Sequence, residues 1–222
     1  MIDFAVQRKN MVESQVRPSD ITDRRIIRAM LEVPRETFCP AGVRATAYCD
    51  ERVRVSAPAE APRFMAPPRV LAKMLQALEV GDRDSVLEVG TATGYGAAVL
   101  SRIAHAVTAI EAEQPLIEAA RAALSAAGAT NVVIIEGDLA AGHAPAAPYD
   151  AILLTGAVPD VPRALLDQLK DGGRLVAIVA NAGGVGRLMQ WRRSGSTFDS
   201  RAISDASAPP LPGFARPAAF VF

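Results

Sequence analysis

The chain is poor in the residues that build metal and thiol chemistry. Its 222 residues hold two cysteines, Cys39 and Cys49, and two histidines, His105 and His143. The cysteines form no C-x-x-C pair and no histidine lies at metal-ligand spacing, so the pattern offers neither a structural zinc site nor a dithiol redox centre. No apolar run approaches the roughly 18 residues of a membrane span. The opening Met1-Ile2-Asp3-Phe4-Ala5-Val6-Gln7-Arg8-Lys9-Asn10 carries charge where a signal peptide needs an apolar stretch, so a cytoplasmic location is expected. Charge of one sign is also lacking: Lys+Arg and Asp+Glu number 24 each, a net charge of zero. With no basic excess to neutralise phosphates, the chain is not expected to bind nucleic acid. What remains is the composition of an ordinary globular protein, 50% hydrophobic and 22% charged. Its length suits one α/β core with an elaboration.

Residues 1–35 read as helical, with Ser19 and Asp20 as candidate caps and Ile26, Ile27, Met30 and Leu31 recurring on one face until Pro34. Residues 55–68 contain four prolines, which forbid a helix interior and deny ladder hydrogen bonds to a strand, so a stiff loop is expected. It feeds a helix from about Pro68 that carries Val70, Leu71, Met74, Leu75 and Leu78 on one face.

From Asp84 the pattern changes to short β-branched runs separated by helices. Ser85–Val89, Ala106–Ile110, Val132–Ile135, Tyr149–Thr155 and Arg174–Ala180 read as strands. Five apolar strands joined by helical crossovers imply an α/β fold with a doubly wound, mostly parallel sheet. Pro115 opens one helix, with Gly128 past its end. Asp160 and Pro162 open another that stops at Gly172-Gly173. Leu188–Arg192 and Ala218–Phe222 read as final strands, and the connection from Ser194 to Pro217 reads as loop. Residues 1–80 are thus an N-terminal helical elaboration with a loop, and 81–222 the α/β core, within one continuous domain.

The chemistry concentrates in Val86-Leu87-Glu88-Val89-Gly90-Thr91-Ala92-Thr93-Gly94-Tyr95-Gly96, a buried strand running into a glycine-bearing turn that opens a helix. Glycine permits close backbone approach and positive φ, and a helix start offers unpaired N–H groups to an anion. The spacing G-x-x-x-G-x-G departs from the dinucleotide fingerprint, and no Gly-Lys-Ser/Thr follows as in a phosphate loop. Glu88, inside the first strand, suits an ammonium or the loop from beneath, and does not suit a pyrophosphate. Glu111 ends the second strand about 20 residues past the first glycine, where a carboxylate grips ribose hydroxyls. Asp138 follows the third strand, in reach of an exocyclic adenine amine. Adenine, ribose, a sulfonium and an amino-acid end satisfy all three acids, which points to S-adenosylmethionine, with S-adenosylhomocysteine as product. The expected cofactor set is Glu88, Gly90, Thr91, Gly94, Glu111, Asp138 and Leu139. Any one of these features alone is as readily a tight turn, a helix cap or a solvated charge.

Other features read as structural. Gly183-Gly184-Val185-Gly186 has no helix or lysine behind it and suits a hairpin turn. His143 suits a surface loop, Cys39 and Cys49 suit packing, and Trp191 an exposed strand end. Arg35 and Arg69 are candidates for an acidic substrate, with salt bridging as the commoner fate.

With these residues assembled, the chain resembles the protein-L-isoaspartate O-methyltransferases along nearly its whole length. Met11-Val12-Glu13-Ser14-Gln15-Val16, Val33-Pro34-Arg35-Glu36-Thr37-Phe38 and Ala47-Tyr48-Cys49-Asp50 look like that family's N-terminal elaboration. Val86–Tyr95 looks like its first cofactor motif; Ala147–Ile152 and Gln168–Val176 look like its later sheet motifs. The Val-Pro-Arg-Glu-x-Phe segment is the specific part, since other methyltransferases share the sheet without it. The resemblance implies a Rossmann-like methyltransferase sheet, a protein or peptide substrate bearing isoaspartate, and methyl transfer to its α-carboxylate. It also marks a departure. The family's substrate loop typically reads like Thr-Ile-Ser-Gln/Ala-Pro, whereas this chain has Phe64-Met65-Ala66-Pro67-Pro68, so Ala66 occupies the serine position and no catalytic residue is assigned. Ala92 and Leu139 likewise stand where glycines are common. Loss of an oxyanion donor costs on the order of 10²–10³ in rate. A different acceptor, or a module that binds the cofactor without catalysis, stays open as an alternative.

Overall fold

The computed structural model describes residues 2–56, 62–180 and 185–214. At the front, Asp3 accepts hydrogen bonds from the amides of Ala5 and Val6 and so caps α1 (Phe4–Met11). The helical path continues as a π turn over Val12–Val16 and a 3-10 turn over Arg17–Ser19, and Asp20, at φ 62°, ends it in the left-handed region. The expected caps Ser19 and Asp20 are therefore corrected. Ser19 donates backward to the Gln15 carbonyl at 2.7 Å, while Asp23 supplies the side-chain oxygen that caps α2 (Arg24–Glu32). The reason is local: a hydroxyl inside a helical turn satisfies the preceding carbonyl, and only a residue in extended backbone can cap the next helix.

Residues 55–68 are not wholly a loop. Val53–Arg54 (β1) and Phe64–Met65 (β2) pair antiparallel, and α3 (Pro68–Leu78) starts two residues beyond Ala66 with proline in its first turn.

The core is a seven-stranded sheet. Its strands are β3 (Ser85–Val89), β4 (Ala106–Glu111), β5 (Val132–Glu136), β6 (Tyr149–Val158), β7 (Leu169–Val179), β8 (Arg187–Ser194) and β9 (Thr197–Asp205), in the order β5-β4-β3-β6-β7-β8-β9. The first five are mutually parallel, and β8 and β9 are antiparallel. Alternate residues of the parallel strands enter two apolar layers: Val86, Val107, Ala109, Ala151 and Leu153 face one, while Leu87, Val89, Ile110, Ile152 and Leu154 face the other. The first layer receives α2, α3, α4 (Tyr95–Leu100) and α5 (Gln114–Ala126). The second receives the single turn α6 (Arg163–Leu166) together with Leu211 and Phe214. The sheet order reverses at β3, next to β6, so the carboxyl end of β3 is the switch point where an open α/β sheet presents its crevice.

Three expectations require correction. The helix expected from Asp160 to Gly172 shrinks to Arg163–Leu166, because β7 already starts at Leu169, paired with Tyr149, and Gln168 turns back to the carbonyls of Ala141 and Ala164. The connection from Ser194 is not loop throughout. Thr197–Asp205 forms the edge strand β9 through a tight turn at Gly195, φ 58°. Its side chains are mostly exposed on both faces, so it has no apolar alternation to betray it. Trp191 is not a strand end; it lies mid-strand opposite Leu175, half-buried. The strand expected at Ala218–Phe222 lies outside the described residues, as do Gly183 and Gly184. Among the described residues no helix is long and apolar enough to cross a membrane, and no group of three metal-ligating side chains forms.

Arg35 fastens the N-terminal elaboration to the core. Fully buried, it donates from Nε to the Ala47 carbonyl (2.6 Å) and from Nη2 to the Ala66 carbonyl (2.7 Å), with its guanidinium 4.7 Å from the Tyr95 ring centre. Burial lowers its pKa, and the aromatic face opposes that penalty. It is a strut within the fold and does not reach out to an acidic substrate; Arg69 pairs with Asp50 at 3.0 Å. Arg35→Ala would leave two buried carbonyls without donors and a cavity beside Tyr95, so denaturant unfolding should show a loss of about 4 kcal/mol. A loss under about 1 kcal/mol would refute the strut role.

Candidate active site

The loop after β3 departs from ordinary backbone at three of five positions: Gly90 (φ 79°), Ala92 (φ 52°) and Gly94 (φ 91°) are left-handed. Ala92 takes this conformation without glycine's freedom, a strain of roughly 1–2 kcal/mol. Its amide donates to Glu111 Oε2 at 2.8 Å, and this bond holds the strained turn in place. Thr155, on β6, donates to the carbonyls of Val89 (3.1 Å) and Gly90 (2.7 Å), and Thr93 to the Phe38 carbonyl (2.7 Å). Gly94 precedes the first turn of α4 and packs toward Ala120 and Leu124, where a Cβ would lie 3.3 Å from each.

Glu88 is fully buried at the end of β3. Oε2 accepts the Thr91 hydroxyl at 2.5 Å, while Oε1 has no hydrogen-bond partner among the described residues. Burial pushes its pKa up to about 7 against the opposing pulls of the Thr91 hydroxyl and the Ala97 amide. Gly96 makes room for it: a Cβ there would sit 1.9 Å from Glu88 Oε1. The carboxyl group thus keeps one oxygen without a well-formed hydrogen bond, facing the backbone of the helix start near Ala97.

Glu111 ends β4, also fully buried, and is crowded with donors. Oε1 accepts from Arg63 Nη1 (2.5 Å) and from the amides of Ala112 (2.8 Å) and Glu113 (3.4 Å). Oε2 accepts from Arg63 Nη2 (2.8 Å) and the Ala92 amide. Arg63 also donates to the Gly90 carbonyl at 3.3 Å and approaches Glu113. Neither Arg63 nor Leu211, which lies over Gly90, is visible as a site residue in the sequence. Arg63 lies within a proline-rich stretch and Leu211 sits in an aperiodic one, so neither carries a pattern to single it out. Asp138 accepts from the Ala140 amide at 2.9 Å, in the turn after β5, and Leu139 is buried in the second apolar layer. Residues of the loop Phe64-Met65-Ala66 line the same small cavity as Glu88, Gly90, Thr91 and Tyr95. Pro67 lies outside that cavity, on the groove that also carries Arg69 and Val70. Cys39 is buried, its thiol pushed up to about 11 by burial, and Cys49 is exposed.

A parallel sheet reversing at β3, with acids ending two adjacent strands and a glycine turn between them, defines the class: an α/β methyltransferase. Two solved structures share the fold. One, named protein-L-isoaspartate O-methyltransferase, matches with a TM-score of 0.83 at 24% identity over 93% of this chain and 67% of its own. The other, a Plasmodium falciparum chain given the same enzyme name and solved in complex with S-adenosyl-L-homocysteine, matches with a TM-score of 0.75 at 15% identity over 96% of this chain and all of its own. In sequence, residues 6–205 match the family described as Protein-L-isoaspartate(D-aspartate) O-methyltransferase. Protein-L-isoaspartate O-methyltransferase 2 of Pelobacter propionicus is 41% identical over 85% of this chain and 82% of its own length. A protein-L-isoaspartate O-methyltransferase of Roseiflexus is 39% identical over 96% and 94%. The chain belongs to the protein-L-isoaspartate O-methyltransferase family, enzymes that draw their methyl group from S-adenosylmethionine.

Glu88 makes stability depend on pH in a defined sense. With its pKa near 7 in the fold and 4.5 as its ordinary value, it holds a proton in the folded chain that the unfolded chain releases between those values. Stability therefore falls as pH rises from about 4.5 to about 7, by an amount on the order of 3 kcal/mol. Glu88→Gln should remove that slope, so its advantage over the wild type grows from pH 5 to pH 8 in denaturant titrations. Parallel curves would place the Glu88 pKa in the ordinary carboxylate range.

Proposed function

We propose that the chain transfers a methyl group from S-adenosylmethionine to the side of an L-isoaspartyl residue that carries the free α-carboxylate, in damaged protein or peptide. The observation that carries this is the buried pair Glu88 and Glu111 at adjacent strand ends, the first with an unpartnered oxygen facing the helix start at Gly96. Family membership supplies the reaction class. In this reading Glu88 and Thr91 face the ammonium end, Gly90 gives backbone access, Glu111 takes the ribose hydroxyls, and Asp138 with the Leu139 backbone receives the adenine. Such charge-assisted bonds are worth about 1.5–3 kcal/mol each. The donor set therefore fits the cofactor chemically, while Arg63 already lies on Glu111.

The cofactor supplies an electrophilic methyl on a positively charged sulfur. The protein's share is positioning, because a carboxylate nucleophile of ordinary pKa about 3–4 is already ionised at neutral pH and needs no base. Holding the reactants in line is worth about 7–11 kcal/mol. The loop Phe64-Met65-Ala66 forms the wall on the acceptor side, and Arg35 sets its height through the Ala66 carbonyl. The ester formed then closes to a succinimide with loss of methanol and reopens in part as aspartate. The apolar Phe64-Met65-Ala66 wall, which presents no hydroxyl, favours one second reading: the same transfer to a different, less polar acceptor.

Radiolabelled methyl transfer to an isoaspartyl peptide, beside its aspartyl twin, should label only the former. Ala66→Ser should raise that rate by on the order of 10². Labelling of neither peptide by a chain that binds the donor in calorimetry would assign the second reading. Absence of donor binding would overturn both.

A further inference from the structure

The ribose end of the proposed donor site is taken up by the chain itself. A carboxylate offers about four lone-pair positions, and Glu111 already receives five donors: two from Arg63 and the amides of Ala92, Ala112 and Glu113. No acceptor is left over for a ribose. Arg63 and Glu111 side chains are 4% and 0% exposed, so this is a desolvated bidentate pair and not a surface contact. The cavity among Ala66, Glu88, Gly90 and Tyr95 amounts to about 20 Å³, room for one water and not for a nucleoside.

A second segment fills the neighbouring space. Leu211 stands so close over the turn after β3 and over β6 itself that a Cβ on Gly90 would lie 2.5 Å from its Cδ2, and one on Gly156 2.6 Å from its Cγ. Two backbone bonds pin it to β6, from Ala157 N to the Pro209 carbonyl (2.8 Å) and from Leu211 N to the Ala157 carbonyl (2.9 Å). Gly213 follows, placed so that a Cβ on it would lie 3.7 Å from Asp138 Oδ1, and Phe214 is buried in the same second apolar layer as Leu211. The Arg63 backbone is likewise tied down, by its amide to Ser56 Oγ and by its carbonyl from the Val55 amide. Two separate stretches of chain, one cationic and one apolar, thus meet over the acids.

We infer that Arg63 and Leu211 are built-in competitors of the methyl donor, so that S-adenosylmethionine binds by exchange, its ribose hydroxyls replacing the Arg63 guanidinium on Glu111 and its adenosine displacing Leu211. The inference rests on the donor assignment above. It makes Arg63 a positioning residue that sets donor affinity: only the fraction of molecules with Arg63 withdrawn accepts the ligand, and the apparent dissociation constant is raised in proportion.

Calorimetric titration of the full chain with S-adenosylhomocysteine, wild type against Arg63→Gln and Leu211→Ala, tests this. Arg63→Gln should lower the melting temperature of the ligand-free protein, because Glu111 loses its buried counter-ion, and should bind the ligand about tenfold or more tightly. A residue that merely supports the fold would give the first effect without the second. Hydrogen exchange on the wild type gives an independent reading that needs no variant: saturating ligand should speed exchange in peptides covering Ala157 and Leu211, although ligands ordinarily slow it. Equal or weaker affinity in both variants, or slowed exchange at Ala157 and Leu211, overturns the exchange mechanism and leaves the donor assignment standing. No binding by wild type or either variant overturns the donor assignment and this inference together.

Discussion

A buried carboxylate, Glu111, ties the site together. It sits buried at the end of β4 and draws to itself the strained turn after β3 through the Ala92 amide, its own following turn through Ala112 and Glu113, and the strand β2 through Arg63. An ionised carboxylate in an apolar setting costs several kcal/mol unless it is surrounded by donors. Each of those donors is therefore held where it is by the same requirement. The left-handed Ala92 persists because the Glu111 bond over-determines it, and the acceptor-side loop begins beside Arg63 because the guanidinium has nowhere else equally good to go.

Glu88 presents the opposite solution to the same problem. Two residues upstream of the turn and one register step from the other layer, it faces α4 and has one oxygen without a donor. Where Glu111 is saturated with donors, Glu88 is relieved by taking a proton, its pKa rising to about 7. Two buried acids at neighbouring strand ends, one filled and one vacant, give the switch point its polarity. The vacant one depends on Gly96, since any Cβ there would occupy the position of its free oxygen. The glycine is demanded by the acid and not by a turn, as φ at Gly96 is helical and unstrained.

The fold was largely legible because the central parallel strands are buried on both faces and so continuously apolar, as β3 and most of β6 show, and the edge strand β5 keeps an apolar run as well. What escaped detection was polar or irregular. β9 exposes both faces and so shows no period; α6 reduces to a turn because Leu169 finds a partner in Tyr149; Asp23 caps α2 in place of Ser19 and Asp20 because only it is extended. At the carboxyl end of β3, the places of Glu88, Gly90, Thr91 and Glu111 in the strand or turn were readable from the strand–turn–helix pattern. Gly94 serves the packing of α4 against Ala120 and Leu124, a demand that in sequence looks the same as room for a ligand.

By itself the sequence determined the parallel sheet, the place of the crevice, the acids around it and the resemblance that the family match bears out, since all of these follow from residue type and spacing along one chain. Only the tertiary structure decided what those acids touch. Arg63 reaches Glu111 across 48 positions. Leu211 meets Gly90 from the far end of the chain. Contacts of that span leave no periodic trace, because they are set by how the layers close and not by which residues are neighbours.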